Sequence, residues 1–198
     1  VRFLLQHDLI NAPLPGFEVV ESRIFSDIRE AIEAVRWPKG NKGFVIYPEK
    51  EANGVKPIKE GFVKVLEARG WRPEYPFPLE EGKKQPGKID VALELSTLPP
   101  FVVEWETGNI SSSHRALNKM ALGLLKGAFS GAVLVVPSRK LYKFLTDRIG
   151  NVAELEPYFG MWSAIPAKGY LGVIVVEHDG ESLKVPKIGK GTDGRALV

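Results

Sequence analysis

Two short, unbroken apolar runs constrain this chain most. Residues 132–136 read Ala-Val-Leu-Val-Val and stop at Pro137; residues 171–176 read Leu-Gly-Val-Ile-Val-Val. Neither approaches the roughly 20 residues of a membrane-crossing helix. Neither has the polar stripe of a surface helix. Each fits a β-strand covered on both faces, so helices must pack on either side of a sheet. Amphipathic stretches alternate with strand-like ones along the chain, which predicts an α/β or α+β fold with a mixed central sheet flanked by helices.

The 198 residues suit a single domain with its own core. The chain has no Cys and only 3 His, which excludes disulfide scaffolds and Cys-based zinc sites and disfavours a His-rich metal site. A formal charge of +3 permits a nucleic-acid partner without demanding one. Residues 1–10 lack a basic region ahead of an apolar stretch, so no signal peptide and a cytoplasmic location are expected.

Local signals place the elements. Asp27, with Glu30 three residues on, reads as a capping box opening a helix to Trp37. Residues 44–47 form a short strand. Asn53-Gly54 is a turn, and Pro57 opens a helix that ends near Gly70. That helix has Ile58, Phe62, Val65 and Leu66 on one face and Glu60, Lys64 and Glu67 on the other. Residues 71–77 are extended and 82–87 form a polar, basic loop. Strands at 89–95 and 101–107 flank the turn at 97–100 and form a hairpin. Gly108 and Asn109 break the second strand, and Ser111, Ser112 and Ser113 offer caps for a helix to Lys126. A further helix is expected at 141–148, and an irregular Gly/Lys-rich tail at 186–195.

The chemistry concentrates in that hairpin. Side chains alternate across a strand, so Glu104 and Glu106 share a face, while Val103 and Trp105 share the other. Two carboxylates so placed repel unless a cation lies between them. Asp90, flanked by Ile89 and Val91, comes close to the pair across the hairpin. Three converging carboxylates without Cys or clustered His form a hard-oxygen site that favours Mg²⁺ over zinc. Paired carboxylates also suit a glycosidase, although the chain is small for one. A solvated strand face is the plainest alternative.

The segment Ile89-Asp90, a spacer, then Glu104-Trp105-Glu106 resembles the PD-(D/E)XK nuclease core, with Glu106 where that pattern usually has Lys. The phrase from Val103 through Gly108, Asn109, Ile110 and Ser111 to Ser113 is similar to type II restriction endonucleases of the BamHI, BglII and BstYI kind. The resemblance covers 56–139. It implies one nuclease domain over 1–198, with a catalytic core at about 56–140 and a C-terminal strand and tail at 170–198. It implies that Asp90, Glu104 and the backbone carbonyl of Trp105 bind Mg²⁺, and that Glu106 orients or deprotonates the attacking water. The family also takes a carboxylate from the preceding helix, for which Glu60 and Glu67 are candidates. The implied activity is hydrolysis of double-stranded DNA at a short palindrome, for which the resemblance suggests a GATC centre, by a homodimer, leaving 5′-phosphates. A cognate methyltransferase would belong to the same system.

The helix after the site has its expected core face at Leu117, Ala121, Leu124, Leu125 and Ala128. Ser112, Arg115, Lys119 and Lys126 fall opposite, a basic stripe suited to a phosphate backbone. Short polar side chains at Asn109, Ser111 and Ser112 suit base edges in the major groove, although capping alone also explains them. In the resembled enzymes this segment reaches bases, with Asn109, Ser111 and Arg115 at matching offsets. His114 points to the apolar side as a core histidine. Ser138 and Arg139, after a buried strand, are further DNA-contact candidates. A repair nuclease on the same core, a catalytically silent DNA-binding module and a protein-binding basic stripe are the competing readings.

Overall fold

The computed structural model describes residues 1–77, 87–106, 108–146 and 149–190. In chain order it contains β1 (Arg2–Ala12), α1 (Glu18–Ala34), β2 (Val45–Ile46), α2 (Lys56–Ala68), β3 (Arg72–Pro76), β4 (Lys88–Leu93) and β5 (Phe101–Trp105). There follow α3 (Ile110–Leu125), β6 (Gly131–Pro137), α4 (Arg139–Tyr142), α5 (Val152–Leu155), a 3-10 turn (Glu156–Tyr158), α6 (Phe159–Ser163), β7 (Gly169–Glu177) and β8 (Gly180–Glu181).

The main sheet runs β1-β7-β6-β5-β4-β3. Its middle strands β5, β6 and β7 are parallel, and β1, β4 and β3 join antiparallel, so the sheet is mixed as expected. The unbroken apolar run in β6 has a direct cause. Val133 and Val135 enter the core beneath α1 and α2, while Ala132, Leu134 and Val136 enter the core beneath α3 and α6. Neither face meets water, so polar residues have no place in the alternation; each buried Val or Leu contributes about 1.5–3 kcal/mol. In α2, Ile58, Phe62 and Leu66 are buried, and Gly70 ends the helix at φ +88. Among the described residues no helix is long and apolar enough to cross a membrane.

Several expectations need correction. Asp27 is not a cap. It lies within α1, where it accepts hydrogen bonds from Trp71 Nε1 at 3.0 Å and Arg69 Nη1 at 2.9 Å. A buried carboxylate tying α1 to the end of α2 mimics a capping signal in sequence. β1 has no counterpart in the sequence reading, because register shifts between Phe3 and Leu5 and between Asp8 and Ile10 erase its alternation. The strand expected to 107 ends at Trp105, though the Glu106 amide still bonds Val135 O at 2.9 Å. α3 is capped by Asn109, not by a serine: its side chain accepts from Ser112 N at 3.1 Å. Ala116 and Met120 join Leu117, Ala121 and Leu124 in the core, and Leu125 is exposed instead. The helix expected at 141–148 is the single turn α4, and Leu145 instead bridges to Asn53. The tail is pinned over its described part: Ile188 is buried, and Trp37 Nε1 donates to Pro186 O at 2.9 Å. The loop expected over 82–86, the strand end at 107, the helix end at 147–148 and the tail from 191 lie outside the described residues.

Candidate active site

The antiparallel pairing of β4 with β5 builds the site. Val91 pairs with Val103, so the same register carried one step further sets Asp90 opposite Glu104. Trp105 faces the other way and packs on Phe62 of α2 at 4.9 Å between ring centroids. Glu106 then returns to the side of Glu104, as strand alternation requires. Asp90, Glu104 and Glu106 line one open cavity of about 270 Å³, with Lys59, Lys88, Trp105, Gly108, Ser112, Arg115, Ala116 and Lys119.

Each carboxylate is held. Asp90 Oδ2 accepts the Trp105 amide at 2.9 Å, and Asp90 Oδ1 lies 2.6 Å from Lys59 Nζ. Glu104 Oε1 lies 2.9 Å from Lys119 Nζ, which also donates to Lys88 O at 3.1 Å. Glu106 is buried and its Oε1 accepts the Gly108 amide. Burial pushes the Glu104 carboxyl above its ordinary range; Lys119 counters this, and the neighbouring Asp90 and Glu106 charges add to it.

Gly108 is required by this packing. A Cβ there would lie 2.9 Å from Ser112 Cβ and 3.1 Å from Glu106 Oε1. The absence of a side chain at position 108 lets the chain turn from β5 into α3 while its amide meets Glu106.

The donor set fits a hard divalent cation. Its side-chain donors are carboxylate oxygens, partly withdrawn from water, and two of them already attract ammonium groups. Among the described residues, no three His, Cys, Asp or Glu side chains gather so as to hold an ion by themselves. Asp90 and Glu104 would offer two side-chain donors to such a cation, and backbone oxygen and water would have to complete its shell, as Mg²⁺ tolerates.

The other sequence candidates divide. Asn109, Ser111 and Arg115 are exposed at the start of α3 beside the cavity, and Arg115 Nη2 lies 3.4 Å from Ser112 Oγ. Lys119 does not belong to an outward stripe; it turns into the site. Glu60 and Glu67 line a separate cavity of about 500 Å³ with Val55, Val63, Lys64 and Glu74. The larger and more apolar of the two hollows is thus not the one holding the Asp90 pair. Lys59 is the α2 side chain that reaches Asp90, in place of either glutamate. Arg139 is exposed at the end of β6, the sheet end that also carries Glu106. Ser138 is corrected: its buried hydroxyl caps α4 at 3.0 Å and donates to Glu177 Oε2 at 2.6 Å, so it faces the interior. His114 is half-buried against Tyr158 and Trp162, with ring centroids at 4.8 and 5.4 Å. Lys59 was missed by sequence reasoning, and Gly108 was read there as a strand break and part of the motif, without its role in seating Glu106. An acidic triple with no assigned counter-charge was the signal for the lysine.

The profile of one protein family, described as restriction endonuclease BamHI, matches residues 6–195. A type II restriction enzyme, OkrAI from Oceanobacter kriegii, is 46% identical over 188 residues, covering 94% of each chain. The type II restriction enzyme BamHI from Bacillus amyloliquefaciens is 39% identical over 178 residues, covering 86% of this chain and 81% of that one. Among solved structures, restriction endonuclease BglII complexed with a DNA 16-mer superposes with a TM-score of 0.58. That match covers 89% of this chain and 79% of the other at 8% identity, a likeness of fold.

Proposed function

This chain belongs to the BamHI family of restriction endonucleases, and we propose that it cuts double-stranded DNA at a short, GATC-centred palindrome, with Mg²⁺, leaving 5′-phosphates. As a member of that family it is a nuclease, an enzyme that hydrolyses DNA. The observation that carries the finer reading is the convergence of Asp90, Glu104 and Glu106 on one open cavity beside the exposed start of α3.

Asp90 and Glu104 would hold the cation, with the Trp105 carbonyl as a further donor. A bound divalent cation supplies positive charge to the phosphodiester oxygens and acidifies a nearby water. Glu106, fixed by the Gly108 amide, orients the attacking water and takes its proton. The water oxygen bonds to phosphorus as the bond to the 3′ oxygen breaks, which leaves the phosphate on the 5′ end. Asn109, Ser111, Ser112 and Arg115, beside the cavity, are assigned to base edges or backbone, as is Arg139, which is exposed at the same end of the sheet. Lys119 neutralises Glu104 rather than gripping DNA.

A palindrome matches a two-fold axis, so the working unit is a homodimer. Exposed Leu122 and Leu125 on α3, and exposed Tyr158 against His114 of the same helix, support that assembly. A cognate methyltransferase would protect the host site without contacting this protein.

Digestion of a plasmid of known sequence in Mg²⁺, followed by end mapping, tests the reading. Discrete fragments with 5′-phosphates are expected, and Asp90→Asn should abolish cleavage while leaving DNA binding largely intact. An active Asp90→Asn enzyme, or activity confined to forks and flaps, would overturn it.

A further inference from the structure

Two lysines reach the acidic cluster, and their surroundings differ. Lys119 is fixed. Its Nζ bonds Glu104 Oε1 at 2.9 Å and Lys88 O at 3.1 Å, and lies 5.7 Å from the centre of the Phe77 ring. Lys59 has one ion-pair partner among the described residues, Asp90 at 2.6 Å. Its side chain is 32% exposed where Asp90 is 13% exposed, so the lysine is the more solvated of the two. Lys59 also lines both hollows, the 270 Å³ site and the 500 Å³ cavity along α2. It therefore has open space on either side of its present position; Lys119 also borders a second hollow, of about 550 Å³, but two hydrogen bonds hold its Nζ where Lys59 has a single ion pair among the described residues.

An ammonium and a divalent cation on the same Asp90 oxygen repel each other strongly at such short range. Entry of a cation at Asp90 Oδ1 therefore drives the ammonium away. The displaced charge remains tethered to α2 at the cavity mouth, where the phosphates of a bound duplex would lie. An ammonium is a compact point charge suited to a phosphate oxygen, and its flexible stem allows the move.

We propose that Lys59 is the displaceable counter-ion of Asp90, yielding the carboxylate to the divalent cation and passing its own ammonium to a substrate phosphate. This rests on the metal assignment of Asp90 above. The consequence is coupling. Without DNA the lysine competes with the cation. With DNA it is drawn off by phosphate, and the cation binds the freed carboxylate more tightly. Cation loading is then favoured when substrate is present.

Calorimetric titration with Mn²⁺ on the DNA-free protein tests this, comparing wild type, Lys59→Met, Lys59→Arg and Asp90→Asn. Lys59→Met should bind Mn²⁺ about tenfold more tightly than wild type, because the competitor is gone. Lys59→Arg, which keeps the charge and guards against a mere folding defect, should stay close to wild type. On plasmid substrate at saturating metal, Lys59→Met should raise KM more than it lowers kcat, the pattern of a lost ground-state phosphate contact. If Asp90→Asn loses Mn²⁺ binding while Lys59→Met binds it no more tightly than wild type, the counter-ion role is wrong and the metal site stands. If Asp90→Asn binds Mn²⁺ as wild type does, the metal assignment fails and takes the counter-ion role with it.

Discussion

Gly108→Ala is the substitution whose effect the geometry fixes most closely. The added methyl would sit 2.9 Å from both Ser112 Cβ and Ser112 Oγ, where ordinary contact begins near 3.4 Å. Ser112 Cβ is anchored by helix α3 and cannot swing away, so the backbone at position 108 must move by about 0.5 Å. The methyl would also press on Glu106 Oε1 from 3.1 Å. The same residue carries the amide that holds Glu106, so the carboxylate moves with it or loses its donor. A misplacement of about 1 Å at a reacting group costs about 100-fold in rate, so half that distance predicts about a tenfold fall in kcat. Overpacking of this kind costs roughly 1–3 kcal/mol, a fall in Tm of about 2–12 °C for a chain of this size. Single-turnover cleavage of a plasmid, with calorimetric unfolding of the same samples, measures both. A Gly108→Ala enzyme with wild-type kcat and wild-type Tm would refute the claim that position 108 must lack a side chain to seat Glu106.

Three further outcomes are expected. Burial raises the Glu104 pKa above its ordinary 4.5, so from that value upward the folded state holds the proton more firmly than the unfolded chain, and stability falls as pH rises through the shifted pKa. Glu104→Gln should therefore raise Tm at about pH 8, with the gain vanishing near pH 4, while cleavage is lost; an equal Tm gain at both pH values would contradict this. Glu106→Lys recreates the commoner motif but should inactivate the enzyme, because the Gly108 amide would then face an ammonium; full activity of the Glu106→Lys enzyme in the plasmid assay would show that the carboxylate has no distinct role. Asp27→Ala leaves the buried Trp71 indole N–H without its acceptor, while the more exposed Arg69 rehydrates. It should cost about 2 kcal/mol in urea unfolding with cleavage chemistry unchanged.

The legible parts of this fold were those in which a residue answers to its neighbours in sequence. α2, β4, β5 and β6 follow from Pro57, Gly70, the Pro-rich turn at 97–100 and the dry runs of Val and Leu, all local signals. The carboxylates were legible for the same reason, since i and i+2 on a strand share a face by geometry alone. What sequence concealed answers to distant contacts. Asp27 looks like a cap because Asp serves both as cap and as buried tie, and only Trp71 and Arg69 decide which. Lys59 sits one position beyond buried Ile58, and nothing in the helix period says that its stem will reach around to Asp90. Ser138 looked like a surface contact until Glu177, far along the chain, claimed its hydroxyl.

The order of strands in the sheet also bears on how the protein is made. β1 precedes every other described strand, yet its partner β7 is the last long one, with Arg2 set against Glu177. A nascent chain arrested before residue 169 would hold every strand and helix that lines the acidic cavity, but β6 would have a bare flank and β1 nothing to pair with. Such distant pairing makes for slow folding with a late closing step. Translation thus has to pass residue 177 before the sheet closes, which keeps a DNA-cutting protein unfinished until β7 has been made.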